Sequence, residues 1–280
     1  MKILIIGKNG FIAKSLYNLF KINTNYDIIQ TSSSQLDFLN DEQVDKFMIK
    51  NSFDYMIFTP VYGGRRTKED NNDIIEMNQK MYNNMLKHKD KFKLIFYFGS
   101  GASFDRRQNI KEFGNNKLGN SIPEDPYGFS KYSNEIDIRN HDNIINLRIF
   151  NCFGINESID RMIKANILNY INNQDIIIHQ DRYFDFIFID DLYHIILSFI
   201  DGKQTSKEIN CVYEEKLRLS DIGNIINDIS NQKVKIKIID SNLGNSYTGK
   251  KNYQNIENLV GLKNGINCMY QNIISKINLV

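Results

Sequence analysis

At 280 residues the chain is long enough for one large α/β domain, or a main domain with a smaller appendage, and needs no staple to hold a core. Lys and Arg total 35 against 33 Asp and Glu, and a net charge of +2 gives no electrostatic case for nucleic acid or an anionic membrane as partner. Cys152, Cys211 and Cys268 are odd in number and lack histidine at metal-ligand intervals, which argues for reduced thiols and against a disulfide framework or a metal site.

The opening apolar run, Ile3-Leu4-Ile5-Ile6, is too short for a signal peptide or a membrane span. No later run approaches the length of a span, so a cytoplasmic protein with no membrane partner is expected. Short β-rich runs then alternate with segments of helical periodicity: Lys2–Ile6, Phe11–Phe20, Ile28–Gln30, Asp41–Lys50, Tyr55–Phe58, Asn71–Lys87, Lys93–Phe98, Tyr127–Asn140 and Ile144–Ile149. That order predicts a doubly wound, parallel, Rossmann-type α/β sheet. Runs such as Leu94-Ile95-Phe96-Tyr97-Phe98 are apolar without alternation, as expected of strands covered on both faces. After Gly154 the rhythm becomes helix Ile159–Tyr170, strands Asp175–Ile178 and Phe184–Phe188, helix Asp190–Ile200, strand Glu208–Tyr213, helix Ser220–Ser230 and strand Val234–Ile239. The chain is accordingly read as a dinucleotide-binding domain over residues 1–154 and a smaller substrate-binding α/β portion over 155–280, with 184–200 rejoining the first.

The first strand runs into Gly7-Lys8-Asn9-Gly10-Phe11-Ile12-Ala13. A strand-to-helix turn that brings backbone close to a pyrophosphate needs residues without bulk, and it aims helix N–H groups at the anion. The spacing of Gly7, Gly10 and Ala13 fits that need, in the right place of a βαβ unit. At the end of the second strand the chain reads Gln30-Thr31-Ser32-Ser33-Ser34, without the acidic residue that would exclude a 2′-phosphate. Ser32 and Ser33 can bond that phosphate and Lys8 can supply counter-charge, which favours NADP over NAD. Solvation of Lys8 and capping by the serines is the competing reading. Asp37 and Phe38 are placed to meet the adenine, or else form an acidic surface turn.

Tyr127 and Lys131, in Pro126-Tyr127-Gly128-Phe129-Ser130-Lys131, are one helical turn apart and can point into one pocket. A carbonyl reduced by hydride needs a proton on its oxygen, and a phenol with a pKa of about 10 can give one. The Lys131 charge is expected to lower that pKa and to bond the nicotinamide ribose. Ser100, in Gly99-Ser100-Gly101-Ala102-Ser103, follows a strand and can donate to the same oxygen.

Glycine loop, serine, tyrosine and lysine in this order resemble the extended short-chain dehydrogenases/reductases, in the group of nucleotide-sugar epimerases, dehydratases and reductases. The resemblance runs from Met1 to about Leu262 and rests also on Phe53–Pro60, Phe98–Ala102, Leu147–Gly154 and Asp185–Asp191. It implies that Ser100, Tyr127 and Lys131 are the catalytic trio, that Thr59, Pro60 and Phe150 border the cofactor, and that Gly101, Ala102 and Asn151 face a nucleotide sugar. It also implies a homodimer, with helices 71–87 and 127–140 pairing across a two-fold axis.

Where the dehydratases of that group carry Asp-Glu after the serine, this chain has Gly101-Ala102, so the acid–base pair for elimination is missing. The Gly63-Gly64 turn resembles the GDP-fucose synthases, which epimerise with a Cys and a His; here the Cys position holds Ala102 and Ile155–Ile163 contains no His. What survives suits an NADPH-dependent reductase acting at the C4 keto group of a nucleotide-linked 4-keto-(6-deoxy)sugar or heptose. A 4-epimerase with tightly bound NAD uses the same trio and remains the alternative, with a non-catalytic dinucleotide sensor behind it. Candidates for holding the diphosphate and sugar are Arg65, Arg161, Lys164, Arg182 and Lys250. The resemblance places an Arg two residues before Phe186, where this chain has Phe184.

Overall fold

A computed structural model describes residues 1–64, 70–71, 73–254 and 256–277. In chain order its elements are β1 (Lys2–Ile6), α1 (Phe11–Asn23), β2 (Asp27–Thr31), α2 (Asp41–Lys50), β3 (Tyr55–Phe58), α3 (Asp73–Leu86), β4 (Leu94–Ser100), β5 (Ile110–Phe113), α4 (Pro126–Ile138) and β6 (Ile144–Ile149). There follow β7 (Cys152–Phe153), α5 (Met162–Ile171), β8 (Ile176–Gln180), β9 (Ile187–Phe188), α6 (Ile189–Ile200), β10 (Glu208–Cys211), α7 (Leu219–Asn227), β11 (Ile236–Asp240), β12 (Tyr247–Gly249) and α8 (Leu262–Ile277).

The six-stranded sheet has the order β10-β6-β4-β3-β1-β2, and every pairing in it is parallel. Alternate residues of each strand feed opposite layers. Ile3, Ile5, Phe96 and Leu147 pack with Leu16 and Phe20 of α1 and Leu192 and Ile196 of α6. Leu4, Met56, Ile95 and Ile144 pack with Val44 and Met48 of α2, Met81 and Met85 of α3 and Ile138 of α4. The sheet is thus covered on both faces, as its unalternating apolar strands require. Chain order reverses between β1 and β3, so the crevice beyond their carboxyl ends is where a fold of this kind binds its ligand.

The strand expected at Glu208–Tyr213 within the smaller portion is instead the edge of the main sheet, with Ile209 opposite Leu147. Ile187 and Phe188 pair with Cys152 and Phe153, outside that sheet, while α6 returns to α1, where the Phe20 and Tyr193 rings meet edge-on at 4.8 Å. β8 pairs with β11, and β5 with β12, each in a two-stranded sheet. Strands β5, β7 and β12 are too short to leave a pattern in the sequence. Helix α8, also absent from the sequence reading, buries Ile266, Met269 and Ile273 on one face.

A fully buried ion pair ties α4 to the sheet. Arg148 of β6 and Glu135 of α4, both 0% exposed, meet at 2.7 Å. Arg148 also donates to Asn210 of β10 at 2.7 Å and to Asn115 at 2.8 Å, and its guanidinium lies 4.7 Å from the centre of the Phe104 ring. Removing one partner of such a pair strands a charge in a low-dielectric interior. Arg148→Met is expected to lower the unfolding free energy by about 3–5 kcal/mol in urea titrations, and a loss below about 1 kcal/mol would show that Glu135 is not held as a buried anion.

Candidate active site

At the end of β1 the chain turns through Gly7, whose φ of +102° is open to glycine and strained for other residues. A Cβ there would also lie 2.4 Å from Thr59 Oγ1, and that hydroxyl is fixed by donating to the Ile6 carbonyl at 2.7 Å. The amides of Gly7 and Lys8 donate to the Thr31 carbonyl, both at 2.9 Å, and Gly10 N–H to the Gly7 carbonyl at 2.8 Å. Gly10 then caps α1 without any side chain, and no acidic residue occupies the first turn. Helix N–H groups left open beside a backbone free of Cβ bulk fit a dinucleotide pyrophosphate. Lys8, Asn9 and Gly10 are exposed at this turn, with Phe11 and Ile12 half-buried behind them.

At the end of β2, the Ser32 hydroxyl sits 2.8 Å from that of Ser34 and donates to Gln35 at 3.1 Å, while Ser33 is exposed. Phe38 offers almost no side-chain surface to a ligand. Its ring is 2% exposed in the core, edge-on to Phe58 at 4.9 Å, because the apolar layer beneath α2 takes it up. The Asp37 carboxylate accepts the amide of Leu39 at 2.9 Å and caps its own turn.

Helix α4 begins with Pro126 after the N-cap Asp125, whose carboxylate accepts the Gly128 amide at 2.8 Å. This start sets Tyr127, Lys131 and Glu135 on one face, turned towards the carboxyl end of β4. Glu135 accepts the Ser100 amide at 2.9 Å and the Ser103 hydroxyl at 3.2 Å. Ser100, 7% exposed, accepts the Ala102 amide at 3.2 Å. Burial pushes the Tyr127 phenol above its ordinary pKa, and a hydrogen bond with Ser100 and the charge of Arg106 oppose the rise. The depression expected from Lys131 is therefore not what these surroundings give. Lys131 Nζ donates to the Phe98 carbonyl at 2.7 Å and lies 4.8 Å from the centre of the Tyr97 ring. Burial brings its own pKa down to about 8.

Three residues at this site were not read from the sequence. Glu135 follows Lys131 at helical spacing, a signal that was present. Arg106 follows Asp105, a residue at φ 66° whose carboxylate is gripped by Arg107 and Ser121, and Arg106 itself donates to Asp125 at 2.7 Å. Tyr247 comes from β12. Its hydroxyl lies 2.8 Å from where a Gly101 Cβ would stand, and the Phe150 ring lies 2.5 Å from the same point. Gly101 is thus covered by two rings, and Ala102 is 1% exposed, so neither presents an open face.

Among the other candidates, Asn151 accepts a hydrogen bond from Arg161 at the start of α5. Lys164 is tied to the carbonyls of Ile155 at 2.8 Å and Glu157 at 2.7 Å. Arg182 bonds Gln180 and packs against Gly244, and Lys250 is exposed after β12. Pro60 follows Thr59 and is half-buried. Arg65 lies outside the described residues. No described helix is long and apolar enough to cross a membrane. Among the described residues no cluster of three or more His, Cys, Asp or Glu is arranged to hold a metal.

The depressed Lys131 pKa carries a stability signature. Native Lys131 loses its proton near pH 8, while the unfolded chain holds it to about 10.4. In that window the unfolded state binds more protons, so this residue's contribution to stability rises with pH. Wild type is expected to gain stability relative to Lys131→Met between pH 7 and about 10, measured by urea unfolding at both ends. A gap that moves the other way would mean that Lys131 is held as a cation.

A family model described as "NAD dependent epimerase/dehydratase family" matches residues 3–211. No curated protein matches the sequence. Among solved structures, a GDP-mannoheptose C4 reductase from Campylobacter jejuni with NADP bound superposes with a TM-score of 0.77 at 17% identity, covering 98% of each chain. A GDP-L-fucose synthetase from Naegleria fowleri bound to NADP gives 0.78 at 15% identity, over 99% of this chain and 93% of that one. A UDP-glucose 4-epimerase from Thermotoga maritima with UDP-glucose gives 0.79 at 15% identity, over 99% and 100%. At such identities the likeness is one of fold.

Proposed function

The chain belongs to the NAD dependent epimerase/dehydratase family, and from that premise we propose that it is an NADPH-dependent reductase of the C4 keto group of a nucleotide-linked 4-keto-(6-deoxy)sugar or heptose. The observation that supports the reading is that the α4 face bearing Tyr127, Lys131 and Glu135 is fastened to the end of β4 at Phe98 and Ser100, on the same carboxyl edge of the parallel sheet as the Gly7 turn, with Gly101-Ala102 in place of a second acid–base pair. Similar folds in a heptose C4 reductase and a GDP-L-fucose synthetase, both with NADP, support it. The dinucleotide supplies hydride when bound. The residues that would hold it are Gly7 to Ile12, Thr59 and the serines after β2. Lys8 and those serines supply donors for a 2′-phosphate, and no acidic residue stands between Thr31 and Leu36 to repel it.

Tyr127 is the proton donor in this mechanism. Burial keeps its phenol protonated at neutral pH, so it can deliver a proton to the carbonyl oxygen as negative charge develops there. Ser100 donates to the same oxygen and fixes its distance from the phenol. Lys131, part-charged near neutrality, steadies the phenolate left behind. The protein is proposed to work in the cytoplasm as a homodimer through α3 and α4.

Purified protein is expected to oxidise NADPH when given a nucleotide 4-keto-6-deoxysugar, with NMR showing a C4 alcohol. Tyr127→Phe is expected to lower kcat by about 100-fold or more without changing the affinity for NADPH. Release of tightly bound NAD, with interconversion of unoxidised nucleotide sugars, would instead establish the 4-epimerase, which shares the trio and the fold of the UDP-glucose enzyme. Lys8→Glu is expected to erode preference for NADPH over NADH by roughly tenfold, the worth of one charge-assisted hydrogen bond, in kcat/KM comparisons.

A further inference from the structure

The phenol of Tyr247 is unaccounted for by the chemistry above, yet it stands beside the same serine as Tyr127. Its backbone is clamped on both sides. The Tyr247 amide donates to the Tyr183 carbonyl at 2.9 Å and its carbonyl accepts the Asp185 amide at 3.1 Å. One residue before, the Ser246 amide donates to Asn109 at 2.7 Å, and two after, the Gly249 amide donates to the buried Asp185 carboxylate at 2.8 Å. The ring is wedged between Phe150 and Phe184, each with its centroid 5.1 Å away. The hydroxyl is thereby delivered to the space above Gly101, where a side chain following Ser100 would otherwise stand.

Two phenols then flank one hydroxyl. Burial raises the Tyr247 pKa as it does that of Tyr127, and the Ser100 side chain opposes the rise in both, so this phenol also remains an O–H donor at neutral pH. A rigid, protonated donor brought by a distant segment to the reacting end of a cleft is suited to recognition rather than to a second proton transfer.

We propose that Tyr247 is a substrate-contacting, specificity-determining residue: its hydroxyl donates to a sugar oxygen next to the carbon whose oxygen meets Tyr127 and Ser100. The assignment rests on the nucleotide-sugar reading of the site. It also gives Gly101 a reason, since any side chain there would displace both Tyr247 and Phe150.

Tyr247→Phe keeps the ring and its stacking and deletes the donor. Binding is compared, on the NADPH-loaded protein by calorimetry, for GDP-mannose, UDP-glucose and dTDP-glucose and for the matching nucleoside diphosphates. The nucleotide sugar that wild type binds best is expected to weaken roughly tenfold, the worth of one hydrogen bond, while its bare diphosphate, NADPH and the melting temperature stay unchanged. With an accepted 4-ketosugar, KM is expected to rise more than kcat falls. Equal sugar binding in variant and wild type overturns the assignment, and so does a parallel loss of NADPH or diphosphate affinity, which would mark a structural role. Wild type that binds nucleotide sugars but never oxidises NADPH with 4-ketosugars overturns the reductase and leaves Tyr247 standing.

Discussion

The buried charge of Glu135 is the constraint on which the site depends. Its carboxylate is asked to do several things at once: receive the Ser100 amide, receive the Ser103 hydroxyl and neutralise Arg148. A carboxylate accepting from so many donors is held in one place, and it sits on the face of α4 that carries Tyr127 and Lys131. Helix register and strand terminus are therefore locked to each other. Arg148 extends the lock to β10 through Asn210 and Glu208. Replacing the pair by apolar residues could hold the fold as well, but it would free the end of β4 to move relative to Tyr127. The same crowding explains Gly99, where a Cβ would lie 2.2 Å from Asn146 Oδ1 and 2.5 Å from Glu135 Oε1.

Exclusion of water decides the protonation states here more than any neighbouring charge does. Burial raises the phenols of Tyr97, Tyr127 and Tyr247 and lowers Lys131. All four groups are pushed towards neutrality, which is the expected response of ionisable groups in a poor solvent for ions. A site assembled this way offers donors to an oxygen on which negative charge grows, and the local interactions are strengthened by the low dielectric. Arg106 opposes the trend from the rim. It is half-exposed, held by Asp125, and favours the ionised form of both Tyr127 and Tyr247.

What could be read from the sequence is what is local. Unbroken apolar strands fixed the class of sheet, and the Gly7 turn, Ser100 and the Tyr127–Lys131 spacing each declare themselves within a few residues. Features set by distant pairing stayed hidden. Nothing in Glu208-Ile209-Asn210-Cys211 says whether it joins β6 or a second sheet, because a buried strand reads alike in either place. Phe38 shows the opposite failure, a residue near a functional turn whose side chain belongs to the layer beneath α2. Tyr247 was passed over for its neighbour Lys250, since a basic residue advertises phosphate chemistry and a tyrosine in a three-residue strand advertises nothing.

The placement of Tyr247 follows from how the two parts of the chain are stitched. β5 leaves the loop that begins at Ser100, and β12 pairs with it in parallel, Tyr247 opposite Ile110. The Glu112 amide donates to Thr248 at 2.8 Å across that pair, and Lys250 N–H donates to the Phe113 carbonyl at 3.0 Å. A short ladder like this buries little surface, so its worth lies in geometry. Any shift of the C-terminal segment must carry β5 with it, and β5 is joined through the Gly101–Phe104 turn to Ser100. Ser100, Tyr127 and Tyr247 are thus brought to the same end of the sheet by three routes: the end of a central strand, the first turn of a helix locked to that strand, and a ladder anchored to the loop between them. Precision there comes from redundancy of attachment, which suits the proposed holding of a sugar at one fixed angle to a hydride donor.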